Sequence, residues 1–182
     1  MAKRTGLRAK LAGMRYLAYG SNLHPARLRA RSPSARLLGK AVVAGHALRF
    51  HKRSIIDGSG KCSIAKADDS IHVAVYELSN SDGVLLDEAE GLGIGYRHQT
   101  IAVAEFGECI TYVATETHVD DSLRPYTWYK ELVLLGCASL QFPQDYIDSI
   151  ETVASQEDPD RQRHEENMQI VHRMSNSKTD LI

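Results

Sequence analysis

Apolar positions along this chain follow two spacings, one of strands and one of helices. Tyr16, Leu17, Ala18 and Tyr19 form a short unbroken run that suits a buried strand. It ends at Gly20-Ser21-Asn22. There glycine permits positive φ or close backbone approach, and serine and asparagine favour turns and caps. Pro25 stands where a first helical turn would open. Leu37 to Phe50 reads as one long or bent strand interrupted by Gly39 and Gly45, and Asp57-Gly58-Ser59-Gly60 as a loop. Cys62 to Ala67 and Ile71 to Leu78 read as two strands joined by a polar hairpin turn at Ala67-Asp68-Asp69-Ser70. His72, Ala74 and Tyr76 alternate with Val73, Val75 and Glu77, as strand residues do.

The spacing then becomes helical. Ser79 followed by Asp82 forms a capping-box-like start, Val84, Leu85, Leu86 and Ala89 give an apolar face, and Gly91 suits the position just past the end. Gln99 to Phe106 and Glu108 to Thr115 read as an antiparallel pair joined at Gly107. Pro125 opens a longer helix through about Leu140, and another runs from Gln144 to Ala154. From Ser155 the chain is polar and holds a surface helix to about Met174, then a tail. Strands with hairpin connections and interspersed helices predict an α+β fold.

Composition narrows the class. With 182 residues, 43% apolar and 25% charged, the chain reads as one globular domain with a proper core. The expected boundaries are an N-terminal extension at 1–13, a domain at 14–154 beginning at Met14, and a polar C-terminal helix and tail at 155–182. A net charge of −1 supplies no global field for nucleic acid or a membrane surface. No segment has the ~20 apolar residues of a membrane span. Cys62, Cys109 and Cys137 fit neither a disulfide framework nor a zinc spacing, so buried reduced thiols in a cytoplasmic protein are expected. His164 and His172 lie eight apart, not at the spacing that aligns helix ligands, and no metal is expected. The Gly91-Leu92-Gly93-Ile94-Gly95 turn follows a helix and precedes a strand, the reverse of a dinucleotide loop.

Three pieces carry a family resemblance. Tyr19-Gly20-Ser21-Asn22-Leu23 is similar to the signature loop of the γ-glutamylcyclotransferase-like (AIG2-like) family. Leu86-Asp87-Glu88-Ala89-Glu90-Gly91 resembles its segment bearing the catalytic glutamate. Trp128-Tyr129-Lys130 with Leu134-Leu135-Gly136-Cys137-Ala138 resembles its late tyrosine–glycine helix. The resemblance runs in order from about Arg15 to Glu151. It implies a small mixed β-barrel surrounded by helices, no cofactor, and a small-molecule γ-glutamyl substrate cyclised to 5-oxoproline. Glu90 would be the general acid and base. Tyr19, Gly20, Ser21, Asn22, Leu23 and Tyr129 would bind substrate. The glutathione-specific branch tends to follow Y-G-S with a bulky apolar residue, where this chain has Asn22. A homodimer is compatible with this reading, and nothing in the chain sets the oligomeric state.

Each residue also has a plainer reading. The loop has the signature of an ordinary strand-to-helix connection, although such a turn can aim backbone N–H groups at an anion. Glu90 falls at a helix C-terminus, where the macrodipole opposes a carboxylate by typically ~0.3–1 kcal/mol when exposed. Asp87 and Glu88 are expected on the solvated face of that helix. Tyr129 either positions substrate through its hydroxyl or packs beside Trp128. Packing is the expectation for Tyr96 and His98, and a solvated basic face for Arg27, Arg29 and Arg31. Ser21 lacks a nucleophile-elbow context and reads as a loop hydrogen-bonding residue. The alternative function is a non-catalytic binding module that keeps the loop, which would not need a carboxylate beside its anion site.

Overall fold

The computed structural model describes residues 13–176; most of the expected N-terminal extension and the end of the tail lie outside the described residues. Strands β1 (Met14–Ala18), β2 (Arg36–Arg53), β3 (Gly60–Leu78), β4 (Tyr96–Val103) and β5 (Gly107–Ala114) form one sheet in the order β2-β3-β1-β5-β4. The β1–β5 pair is parallel and the other pairs are antiparallel, so the sheet is mixed. It stays open, with edges β2 and β4 unpaired to each other among the described residues. Helices α1 (Pro25–Arg31), α2 (Asn80–Glu90), α3 (Thr127–Ser139), α4 (Gln144–Glu151) and α5 (Arg161–Asn176) complete the α+β architecture.

One expected turn does not form. Ala67 to Ser70 lies inside β3, which runs unbroken beside β2, with Lys66 opposite His46 and Ser70 opposite Ala44. The polar residues here are exposed because this stretch overhangs the core, and exposure rather than chain reversal selected them. Strand β2 has an irregularity between Ala44 and His46, where Gly45 adopts φ +77°.

The core lies between the sheet and α3. Leu17, Val73, Val75 and Tyr76 of the sheet and Leu132, Val133 and Cys137 of α3 belong to one buried cluster. Each fully buried large apolar side chain contributes roughly 1.5–3 kcal/mol relative to exposure. Helix α2 is capped as its sequence predicts, with the Ser79 side chain accepting from Asp82 N and Gly91 left-handed at the far end. The buried Asp82 carboxylate also accepts from Ser34 N and Ser34 Oγ, both at 2.6 Å, which ties α2 to the chain entering β2. Helix α5 packs on α3 and buries Val171 and Met174, so it has an apolar face as well as a solvated one.

Candidate active site

The turn after β1 is tight. Leu23 N donates to Gly20 O at 3.0 Å, which closes the turn and takes the Leu23 N–H away from any ligand. The N–H groups of Ser21 and Asn22 have no acceptor among the described residues. Gly20 is there for close approach, not for positive φ: a Cβ on it would lie 2.8 Å from Cys62 Cβ. Helix α1 is capped by His24, whose Nδ1 accepts from Ala26 N at 3.2 Å. Helix α3 lies directly behind the turn, where a Cβ on Gly136 would be 2.5 Å from Leu23 Cβ. Tyr129 is seven residues before Gly136, two turns along the same face of α3, and it reaches the same turn. The late tyrosine–glycine spacing therefore has a packing cause.

Glu90 is the last residue of α2 and its side chain is 16% exposed. Its Oε1 accepts from Asn22 Nδ2 and from Arg31 Nη1, each at 2.9 Å. Asn22 Nδ2 also donates to Tyr16 OH at 3.1 Å, and Asn22 Oδ1 accepts from Arg31 at 3.3 Å. Glu90 is thus within hydrogen-bond reach of the turn. Its Oε2 makes no hydrogen bond among the described residues. Arg31 sets a positive charge and Asn22 an N–H donor against the carboxylate at this helix end.

Glu90, Ser21, Tyr96 and Tyr129 separate two cavities. Behind them is a chamber of about 20 Å³, also bounded by Gly20, Asn22 and Cys62. In front is an open cavity of about 330 Å³. Tyr129 OH accepts from Cys62 N at 3.1 Å, Tyr96 OH donates to Cys62 O at 2.6 Å, and Tyr19 OH donates to Tyr112 O. Burial raises all of the chamber's phenols, Tyr16, Tyr19, Tyr96, Tyr112 and Tyr129, far above their usual range, and raises the Cys62 thiol too. They stay protonated at neutral pH. Glu90 is then the one remaining acid–base side chain bounding the chamber.

The structure brings Tyr19, Gly20, Ser21, Asn22, Tyr129 and Glu90 together; Leu23 adds a fully buried apolar side chain and the closing hydrogen bond. Several expectations change. Arg31 is not on a solvated face: it pairs with Glu90. Asp87 is not solvated either, because its Oδ1 accepts from Tyr112 OH at 2.7 Å and lies 2.7 Å from His98 Nε2. Glu88 is exposed, as expected. Tyr96 packs and lines the site at once. Arg31 lies on one helix and Glu90 on another, 59 residues apart, so only an expected α1–α2 contact could have joined them. Cys62, opposite Gly20, carries no sequence pattern of its own.

The mixed sheet with its surrounding helices is a γ-glutamylcyclotransferase-like fold. Comparisons with known proteins agree. The AIG2-like family matches residues 70–150, the part bearing Glu90, Tyr129 and Gly136. A curated human protein named gamma-glutamylcyclotransferase is 28% identical, over 76% of this chain and 77% of its own. A solved structure named gamma-glutamyl cyclotransferase superposes with a TM-score of 0.74 at 24% identity, covering 88% of this chain and 99% of that one. A human protein described as uncharacterized superposes with the same TM-score at 25% identity and the same coverage. YkqA from Bacillus subtilis shares the fold at 16% identity, with a TM-score of 0.65 over 79% of this chain and 56% of its own. This chain is similar to the AIG2-like family over residues 70–150 and to proteins named gamma-glutamylcyclotransferase over most of its length. No helix among the described residues is long and apolar enough to cross a membrane.

Proposed function

We propose that the protein is a cofactor-independent γ-glutamyl cyclotransferase that converts a γ-glutamyl amine or peptide to 5-oxoproline and a free amine. The observation that carries this reading is Glu90: one oxygen is held by Asn22 and Arg31, and the other is unbonded beside the turn, among groups that burial keeps neutral. A binding module that used only the turn would not require that carboxylate.

The reaction is an intramolecular acyl transfer. The substrate's α-amine attacks its own γ-carbonyl carbon, a C–N bond closes a five-membered ring, and the original amide C–N bond breaks. No water is consumed. The attacking nitrogen goes from an ammonium to a lactam N–H, and the leaving nitrogen from an amide N–H to an ammonium. Two protons therefore pass from one nitrogen to the other, and Glu90 Oε2 relays them. The N–H groups of Ser21 and Asn22 hold the substrate carboxylate or the developing oxyanion. The substrate folds in the 330 Å³ cavity against Tyr96, Tyr129 and Glu90, and holding that conformer is proximity catalysis. Tyr129 positions the substrate across the Gly20 turn.

The test is 5-oxoproline release from a panel of γ-glutamyl amino acids and amines by the parent and by Glu90→Gln. The glutamine amide keeps an oxygen for Asn22 and Arg31, so the fold should persist. Losing an acid–base group lowers kcat by about 10²–10⁴-fold. Equal rates in the two proteins would remove Glu90 from the mechanism, and silence of the parent on the whole panel would sink the reading.

A further inference from the structure

The 330 Å³ cavity carries more basic than acidic side chains. Five cations line it against Asp57, Glu88 and Glu90. Three of the five are satisfied: Arg31 pairs with Glu90, Lys61 with Asp57, and Arg163 with Asp158. Arg27 and Lys52 make no ion pair among the described residues. Arg27 Nε is buried with no hydrogen-bond partner. Lys52 is buried, and its ammonium lies 4.4 Å from the centre of the Tyr96 ring. Burial lowers both from their usual range, Arg27 to about 10, while the nearby Glu90 charge acts on each in the opposite direction. Buried cations without counter-charges are costly unless a ligand supplies the charge.

A γ-glutamyl substrate brings one carboxylate on its glutamyl part, and the unbonded N–H groups of Ser21 and Asn22 can take it. Arg27 and Lys52 are left over. Arg27 also lines, with Asn167 and Met174, an adjoining cavity of about 500 Å³ between α1 and α5. That space shares Arg27, Arg31 and Asn167 with the first cavity and has room for a leaving group longer than one residue. We propose, on the footing of the cyclotransferase reading, that Arg27 and Lys52 are specificity-determining residues that bind negative charge on the leaving portion, so that the preferred leaving amine is an acidic amino acid or acidic peptide.

The experiment compares kcat and KM for γ-glutamyl-glutamate, γ-glutamyl-alanine and γ-glutamyl-butylamine in the parent, Arg27→Gln and Lys52→Gln, with circular dichroism to confirm folding. The parent should favour γ-glutamyl-glutamate, and added NaCl should raise KM for that substrate most. Each variant should lower the glutamate-to-butylamine ratio of kcat/KM about 10-fold or more, through KM, as expected for one charge-assisted contact. A parent that uses the butylamine as well as the glutamate, or variants with an unchanged ratio, would overturn the proposal while leaving the cyclotransferase reading intact. If the parent turns over nothing, that reading fails, and calorimetric titration with the same compounds decides the cation pair separately. Binding of γ-glutamyl-glutamate alone, lost in both variants, supports it; equal binding of all three, or none, overturns it.

Discussion

Asp158→Asn should unfold the protein's C-terminal packing at neutral pH and matter far less in acid. The Asp158 side chain is fully buried and accepts four hydrogen bonds: Trp128 Nε1 at 3.0 Å, Asp160 N at 3.0 Å, Arg163 Nε at 2.7 Å and Arg163 Nη2 at 2.5 Å. These pin α5 to α3, and with it Arg163 and Asn167 of the cavity wall. An asparagine leaves the Arg163 guanidinium, 26% exposed, with only its longer 3.5 Å pair to Asp160 and turns an N–H donor toward other donors. Breaking one side of a buried pair costs about 3–5 kcal/mol. That corresponds to a fall in Tm of about 6–20 °C for a chain of this size. The pH dependence has a definite sign. Burial alone would raise the Asp158 carboxyl, but Arg163, Trp128 and the Asp160 N–H hold it below the usual carboxylate range. A group depressed in the folded state stabilises above its unfolded pKa, about 3.9, and that stabilisation is lost as pH falls through the folded value. Urea unfolding of parent and variant at pH 7, 5 and 3 should therefore show a gap that is full at 7 and 5 and shrinks below about 4. A gap under about 1 kcal/mol at pH 7, or one of constant size down to pH 3, would refute this account of the contact.

Two glycines should not tolerate a methyl group. Gly20→Ala places a Cβ 2.8 Å from Cys62 Cβ, and Gly136→Ala places one 2.5 Å from Leu23 Cβ. Each should destabilise by about 1–3 kcal/mol in thermal melts and slow turnover by moving the turn; a variant with parental Tm and rate would show that the turn yields cheaply. Thiol titration should be all or none. Burial raises Cys62 and Cys109, and raises Cys137 to about 12, so no cysteine should react with Ellman's reagent at pH 8 in the folded protein and three should react in urea. Fast reaction of one thiol in the folded state would reveal an opening at that site.

Local chemistry was legible wherever a residue answers mainly to its neighbours in the chain. The Ser79 cap, the Gly91 helix end and the abrupt end of β1 at the Gly-Ser-Asn turn all follow from side-chain type and short-range backbone geometry, whereas the β4–β5 reversal falls at 104–106 and Gly107 opens β5. The turn and Glu90 stood out only through the family resemblance; by residue type alone they read as a strand-to-helix connection and a solvated helix end, and the structure places Glu90 within hydrogen-bond reach of Asn22. Ala67 to Ser70 misled because charged residues serve equally in a turn and on an overhanging strand, and only pairing with β2 distinguishes them. The tertiary structure alone decided which groups share a site. Arg31 and Glu90 meet because α1 and α2 pack together, Gly20 and Gly136 are small because β3 and α3 press on the same turn, and Arg27 and Lys52 line a cavity in which Glu90 and Asp57 pair with other cations. Helical and strand periods report which face of an element is buried; the contacts between elements depend on packing across distant parts of the chain, and no local spacing encodes that.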